Sequence, residues 1–118
     1  MVLDNANDMD FLSKMMEKIL LEEFGFNKVE LKKLNGYTNA NYVLNADSKK
    51  NIFKTYPYSE ETIDLIKAES EVLLFLKLTN IVSFPCPIPF SDGSFVKPLN
   101  VHGKKLVCRI LSRRYISR

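Results

Sequence analysis

A chain of 118 residues with 46% apolar content and a net charge of +3 fits one small globular domain, neither disordered nor membrane-embedded. Its apolar stretches fall far short of the roughly 18 residues that span a bilayer. The start Met-Val-Leu-Asp lacks the basic and long apolar regions of a secretory signal, so a cytoplasmic location and no membrane partner are expected.

The charge is unevenly spread. Residues 1–24 hold six acids against two lysines, whereas Gly93 to Arg118 holds seven Lys/Arg and no acid. A basic tail can attract nucleic acid. This one offers only Phe95 and Tyr115 as stacking platforms, which argues against single-strand binding.

Asp8 or Asp10 can cap a first helix running to about Phe24, with Phe11, Leu12, Met15, Met16, Ile19 and Leu20 on its apolar side and Gly25 as its stop. Lys28 to Leu34 alternates, which predicts a half-buried strand with Val29, Leu31 and Lys33 facing one way. Asn35-Gly36 opens a hairpin turn through Asn39, Asn41 to Ala46 is a second strand, Asp47 to Lys50 a tight turn, and Asn51 to Tyr56 a third strand. Pro57 closes it. Ser59 then caps a long second helix with Glu60 and Glu61 in its first turn.

Ile81 to Phe90 carries Pro85, Pro87 and Pro89 and must run extended, polyproline-like or as a sheet edge. After the turn Ser91 to Ser94, Phe95 to Leu99 and Lys105 to Leu111 read as fourth and fifth strands. Cys86 and Cys108 lack metal-ligand spacing, and a single histidine cannot complete a zinc set with them. Without an export signal a disulfide is disfavoured. The expected class is α+β: an antiparallel sheet of about five strands with an N-terminal helix and a long helix across it.

Within the second helix, Glu69 is the conspicuous placement. At 100° per residue, Leu65, Ile66, Val72, Leu73 and Leu76 all fall within roughly 60° of it, while Glu71 lies about 160° away beside Lys67. A carboxylate on a buried face requires a cation there. Strand alternation puts Lys54 beside Ile52 and Tyr56, making it the nearest upstream candidate for a partner. The plainer reading is a helix edge at which Glu69 reaches water.

The order Leu34-Asn-Gly-Tyr-Thr-Asn-Ala-Asn-Tyr-Val-Leu44, Ile52-Phe-Lys-Thr-Tyr56 and Ile66-Lys-Ala-Glu-Ser-Glu-Val-Leu-Leu-Phe-Leu76 resembles the aminoglycoside phosphotransferase family, which includes choline, homoserine and hydroxylysine kinases. Pro85-Cys-Pro-Ile-Pro89 followed by Asp92-Gly93 is similar to that family's passage between helix and fourth strand. The Gly-Tyr-x-x-x-Asn turn is most like the hydroxylysine kinase branch. The similarity runs from about residue 9 to 111.

The resemblance implies a protein-kinase-like N-terminal lobe that binds ATP. Lys54 would contact the α/β-phosphates and pair with Glu69. Gly36, Tyr37, Thr38 and Asn39 would lie over the phosphates, with backbone N–H groups turned to them. The fifth strand would lead into a hinge at the adenine. Taken alone, the turn reads equally as a plain hairpin, and Tyr37 departs from the glycine-rich loop of protein kinases.

The same family needs a second lobe bearing His-Gly-Asp-x-x-x-x-Asn and a further Asp to position the acceptor and hold magnesium. His102-Gly103 starts like that motif, but Lys104 stands where the Asp belongs, and no acid follows Asp92. His102 is better read as a turn residue. The expectation is therefore a single domain, 1–118, equivalent to a kinase N-lobe cut off at its hinge, without catalytic base or metal ligands and inactive alone. A separately encoded C-lobe would be a partner, and magnesium would await it. The alternative is a non-enzymatic interaction module whose basic C-terminus binds an acidic partner or nucleic acid.

Overall fold

The computed structural model describes the backbone of residues 5–34, 40–79 and 85–112, and the side chains of 13–33, 41–78 and 85–112. Its elements are α1 (Asn5–Glu23), β1 (Val29–Leu34), β2 (Ala40–Ala46), β3 (Lys49–Pro57), α2 (Glu60–Thr79), β4 (Pro87–Ile88), β5 (Lys97–Val101) and β6 (Lys104–Ser112). The class is α+β, as the alternation and helix patterns predict. All pairings are antiparallel, in the order β1-β2-β3-β6-β4, with β5 also pairing β6.

Two expectations change. Among the described residues there are six strands rather than about five, because Pro87 and Ile88 pair with Leu111 and Ile110 of β6. Proline lacks a backbone donor, so it suits such an edge. In addition, α1 begins at Asn5, so Asp8 and Asp10 fall within the helix rather than capping it. No Gly or Pro between Asn5 and Asp10 stops the helix from extending upstream.

The sheet is covered on both faces. On one, Met16, Leu20 and Phe24 of α1 bury Leu31, Tyr42, Leu44, Phe53, Leu99, Val101, Cys108 and Ile110. Gly25 ends α1 with φ +85°, and a Cβ there would lie 3.1 Å from Ser91 Oγ, so glycine also lets the 90–94 turn approach. Phe90 meets Phe24 edge-on at 5.0 Å. Lys97 bonds Asp92 at 2.6 Å while lying 5.5 Å from the Phe24 ring. Hydrogen bonds from Lys97 and Ser94 hold the Asp92 carboxyl far below the usual carboxylate range. The opposite face carries a smaller core, Ile66, Val96 and Val107, with Tyr56, Tyr58 and Ile63 against it.

Local chemistry accounts for the connections. Ser59 Oγ accepts the Thr62 N–H at 3.2 Å, capping α2 as expected. From α1, Glu17 accepts the Leu31 N–H at 2.7 Å, satisfying a donor on edge strand β1. Cys86 and Cys108 are both buried and neither forms a disulfide. Burial pushes the Cys108 thiol up to about 12.

Two two-residue hairpins fix the register: Asp47-Ser48 joins β2 to β3, and His102-Gly103 joins β5 to β6. All four residues have positive φ, as the right-handed strand twist requires. Asp47 Oδ1 also accepts the Lys28 N–H at 3.0 Å, tying this turn to the start of β1.

Ser48, exposed at φ +73°, is the strained member. The left-handed region costs a side-chain-bearing residue about 1–2 kcal/mol, and glycine gives back about 0.4–1 kcal/mol through its freer unfolded chain. Ser48→Gly should therefore stabilise the fold by roughly 0.5 kcal/mol, and Ser48→Val should destabilise it. Urea denaturation midpoints of the two variants against wild type check both signs.

Candidate functional site

The α2 face of the sheet is crossed by a polar row. Alternation along β3 sends Phe53 and Thr55 toward α1, and Ile52, Lys54 and Tyr56 toward α2. Lys54 stands opposite Asn41 of β2 and Arg109 of β6. Asn41, Lys54 and Arg109 thus lie side by side across three strands. Above them runs α2, carrying Glu69.

Glu69 does not pair with Lys54. Its carboxylate meets the Arg109 guanidinium, whose side chain is 8% exposed against 52% for Glu69. Lys54, half-buried, has no ion-pair partner among the described residues. The expected pairing is therefore corrected. Two cations stand on adjacent strands at one register position, and the carboxylate goes to the more deeply buried of them, which has less water to replace it. Glu71 is exposed, as expected.

The orientation of α2 explains why Glu69 lies at an edge. The helix buries Ile66 and Ser70 against the sheet, with Ile63 and Leu74 beside them. Leu65 and Val72, expected to flank Glu69 on a buried stripe, are 70% and 57% exposed. The arc centred on a small residue, Ser70, comes closest to the strands. Glu69 falls roughly 100° from Ser70, on the margin between sheet and solvent.

Arg109 is the residue that the sequence reading missed. Its Nε and Nη1 are buried without a hydrogen-bonded partner, since the approach of Glu69 is an ion pair in distance but not in hydrogen-bond direction. The guanidinium lies 5.9 Å from the Tyr56 ring centre. A signal for it was present: an arginine interrupts the apolar run Leu106-Val-Cys-Arg-Ile-Leu111, where a charge needs a partner. With Tyr56, Thr62, Leu65, Ile66 and Glu69, it lines a cleft of about 460 Å³ between α2 and the sheet. Asn41 Oδ1 is also buried and unpartnered.

The four turn residues expected over a phosphate, Gly36, Tyr37, Thr38 and Asn39, lie outside the described residues. His102 is a hairpin residue at φ 53°, as expected. Among the described residues, no three His, Cys, Asp or Glu side chains converge as a metal site. The arrangement has the chemistry an anion needs: two neighbouring cations, a guanidinium with a nitrogen lacking a hydrogen-bond partner, and a cleft.

No family model and no curated protein matches the sequence. In three dimensions the chain is similar to the solved structure of the microcompartment-associated aminopropanol kinase, with a TM-score of 0.64 and 18% identity over 84% of this chain. The chain spans 30% of the length of that kinase. The likeness establishes the fold: a kinase-like N-terminal lobe, with Lys54 on a central strand and Glu69 on the helix that crosses it.

The unequal burial of the ion pair makes its two halves unequal in effect. Removing one partner of a buried pair leaves a stranded charge. Glu69→Ala should destabilise by about 2 kcal/mol, below the roughly 3–5 kcal/mol of a fully buried pair because Glu69 is half-exposed. Arg109→Met, which replaces an under-bonded cation with an apolar side chain, should stay within about 1 kcal/mol of wild type. The double variant should be no less stable than Arg109→Met alone. A double-mutant cycle in urea reads all three.

Proposed function

We propose that residues 1–118 are the nucleotide-binding lobe of a small-molecule kinase of the aminoglycoside phosphotransferase family, nearest its hydroxylysine kinase-like branch. The observation that carries this reading is Lys54: a lysine without an ion-pair partner among the described residues, on a central strand of a kinase-like lobe, directly opposite the Arg109 that lines a cleft with Glu69. In this reading Lys54 meets the α/β-phosphates of ATP, and Gly36 to Asn39 close over them with backbone donors. Glu69 fixes α2 over the site. β6 delivers the chain to the adenine end.

ATP would supply the phosphoryl group, and magnesium, held by acids of a second lobe, would neutralise its charge. The residues here bind and orient. Phosphoryl transfer depends on positioning an acceptor hydroxyl and on metal charge, and the 118 residues contain neither the His-Gly-Asp motif nor any acid after Asp92. We therefore expect no transfer from these residues alone, and only weak nucleotide binding until a second lobe, on the same or another chain, completes the clamp.

The rival reading, a basic interaction module, loses part of its surface. Of the C-terminal cations, Lys97 is engaged with Asp92, Arg109 with Glu69, and Lys105 lies 4.0 Å over the Tyr58 ring. A nucleic-acid contact would also weaken steeply between 50 and 200 mM salt.

Incubation with radiolabelled ATP, magnesium and a panel of amino alcohols and hydroxylated amino acids should give no phosphorylated acceptor above a Lys54→Met control. Activity that depends on Lys54 would overturn the inactive-alone part of the proposal. In thermal-shift titrations, Mg-ATP should stabilise wild type only at high concentration and leave Lys54→Met unmoved, with both proteins unfolding at similar temperatures without nucleotide.

A further inference from the structure

The polar row holds one more cation than the nucleotide reading uses. Lys54 and Arg109 are directly opposed on β3 and β6. Such residues stand about 4.5–5.5 Å apart at Cβ, where like charges repel. A single carboxylate, Glu69, answers Arg109 and leaves Lys54 without an ion-pair partner among the described residues. Arg109 and Glu69 line the cleft, and Lys54 on the neighbouring strand makes the three-residue group net positive.

Arg109 is 6% exposed; its Nε has no hydrogen-bond partner, and its Nη1 meets the Glu69 carboxylate as an ion pair without hydrogen-bond direction. Burying donors of a charged group unpaired is costly. The group that relieves both the repulsion and the under-bonded guanidinium is an anion with several oxygens and more than one charge. Phosphoryl oxygens meet a guanidinium in that way, and a lysine adds a second point charge beside it.

We propose that Arg109 is a second phosphate-binding residue, forming with Lys54 on the neighbouring strand a two-cation cradle for a di- or triphosphate chain beside the cleft that Arg109 lines between α2 and the sheet. The inference rests on the nucleotide reading for the source of the phosphates and adds a ligand to it. Glu69 acts as the counter-charge that keeps Arg109 in place before the anion arrives.

Isothermal titration calorimetry with inorganic tripolyphosphate, ATP and adenosine tests the cradle in wild type, Lys54→Met, Arg109→Met and Arg109→Lys. Circular dichroism of each variant confirms its fold. Arg109→Met should weaken tripolyphosphate and ATP by at least about 10-fold, the value of one charge-assisted contact, and leave adenosine unchanged. Arg109→Lys, which keeps the charge and serves as the folded comparison should the methionine variant unfold, should bind both phosphates more weakly than wild type. Raising salt from 50 to 200 mM should weaken wild type more than Arg109→Met.

If Arg109→Met, or Arg109→Lys in its stead, binds tripolyphosphate and ATP as tightly as wild type while Lys54→Met does not, Arg109 is no ligand and the nucleotide reading survives without it. If tripolyphosphate binds in an Arg109-dependent way but ATP binds no better, the cradle stands and the nucleotide reading falls. Absence of binding by both phosphates overturns the cradle.

Discussion

A buried guanidinium in the central strand of the sheet must be neutralised, and that requirement ties α2 to the sheet. Arg109 lies on β6, which pairs with β3 on one side and with β4 and β5 on the other. Its charge cannot reach bulk water, so the carboxylate of Glu69 comes to it. The small apolar core of Ile66, Val96 and Val107 sets which arc of α2 faces inward. The ion pair then constrains the helix along its other margin. One nonspecific contact and one directional contact on the same helix leave it little freedom to roll.

The two faces of the sheet divide the work. The α1 face is an apolar core of large side chains, including a fully buried Phe53, and supplies most of the burial that holds the lobe together. The α2 face is thinner and polar along Asn41, Lys54 and Arg109. Unsatisfied polar atoms, Asn41 Oδ1 and the Arg109 nitrogens, occur on the second face. Concentrating the under-bonded polar groups where little apolar area is at stake spares the larger core.

Most of the fold was legible because short-range chemistry decides it. The Ser59 cap, the Gly25 stop, the turn that begins at Asp47, the turn at His102 and the strand alternation each act within a few residues, although the first of these turns is two residues long rather than four. Pro87-Ile88 was legible as an edge but not as a strand, since pairing with β6 depends on where the chain returns in space. The site was harder to read. A helical wheel of α2 shows apolar residues on two arcs, and nothing local tells which one a sheet will take. Leu65 and Val72 took the outer one. Nor could alternation choose between Lys54 and Arg109 as the partner of Glu69. The two are cross-strand neighbours on the same face, and only relative depth separates them.

Cys108 gives the sheet a chemical gauge of its own integrity. It lies on β6 opposite Thr55 on one side and Lys97 on the other, with no exposed surface. A thiol reagent attacks the thiolate, and with the thiol held near 12 almost none exists in the closed lobe. Modification must then wait for β6 to part from its neighbours, so its rate measures how often the central strand opens. Cys86 reports on a different boundary. Its N–H bonds the Ser112 hydroxyl at 2.8 Å, where the proline segment is fastened to the end of β6. Two alkylation rates from one unmodified chain would thus resolve loosening of that seam from parting of the sheet itself.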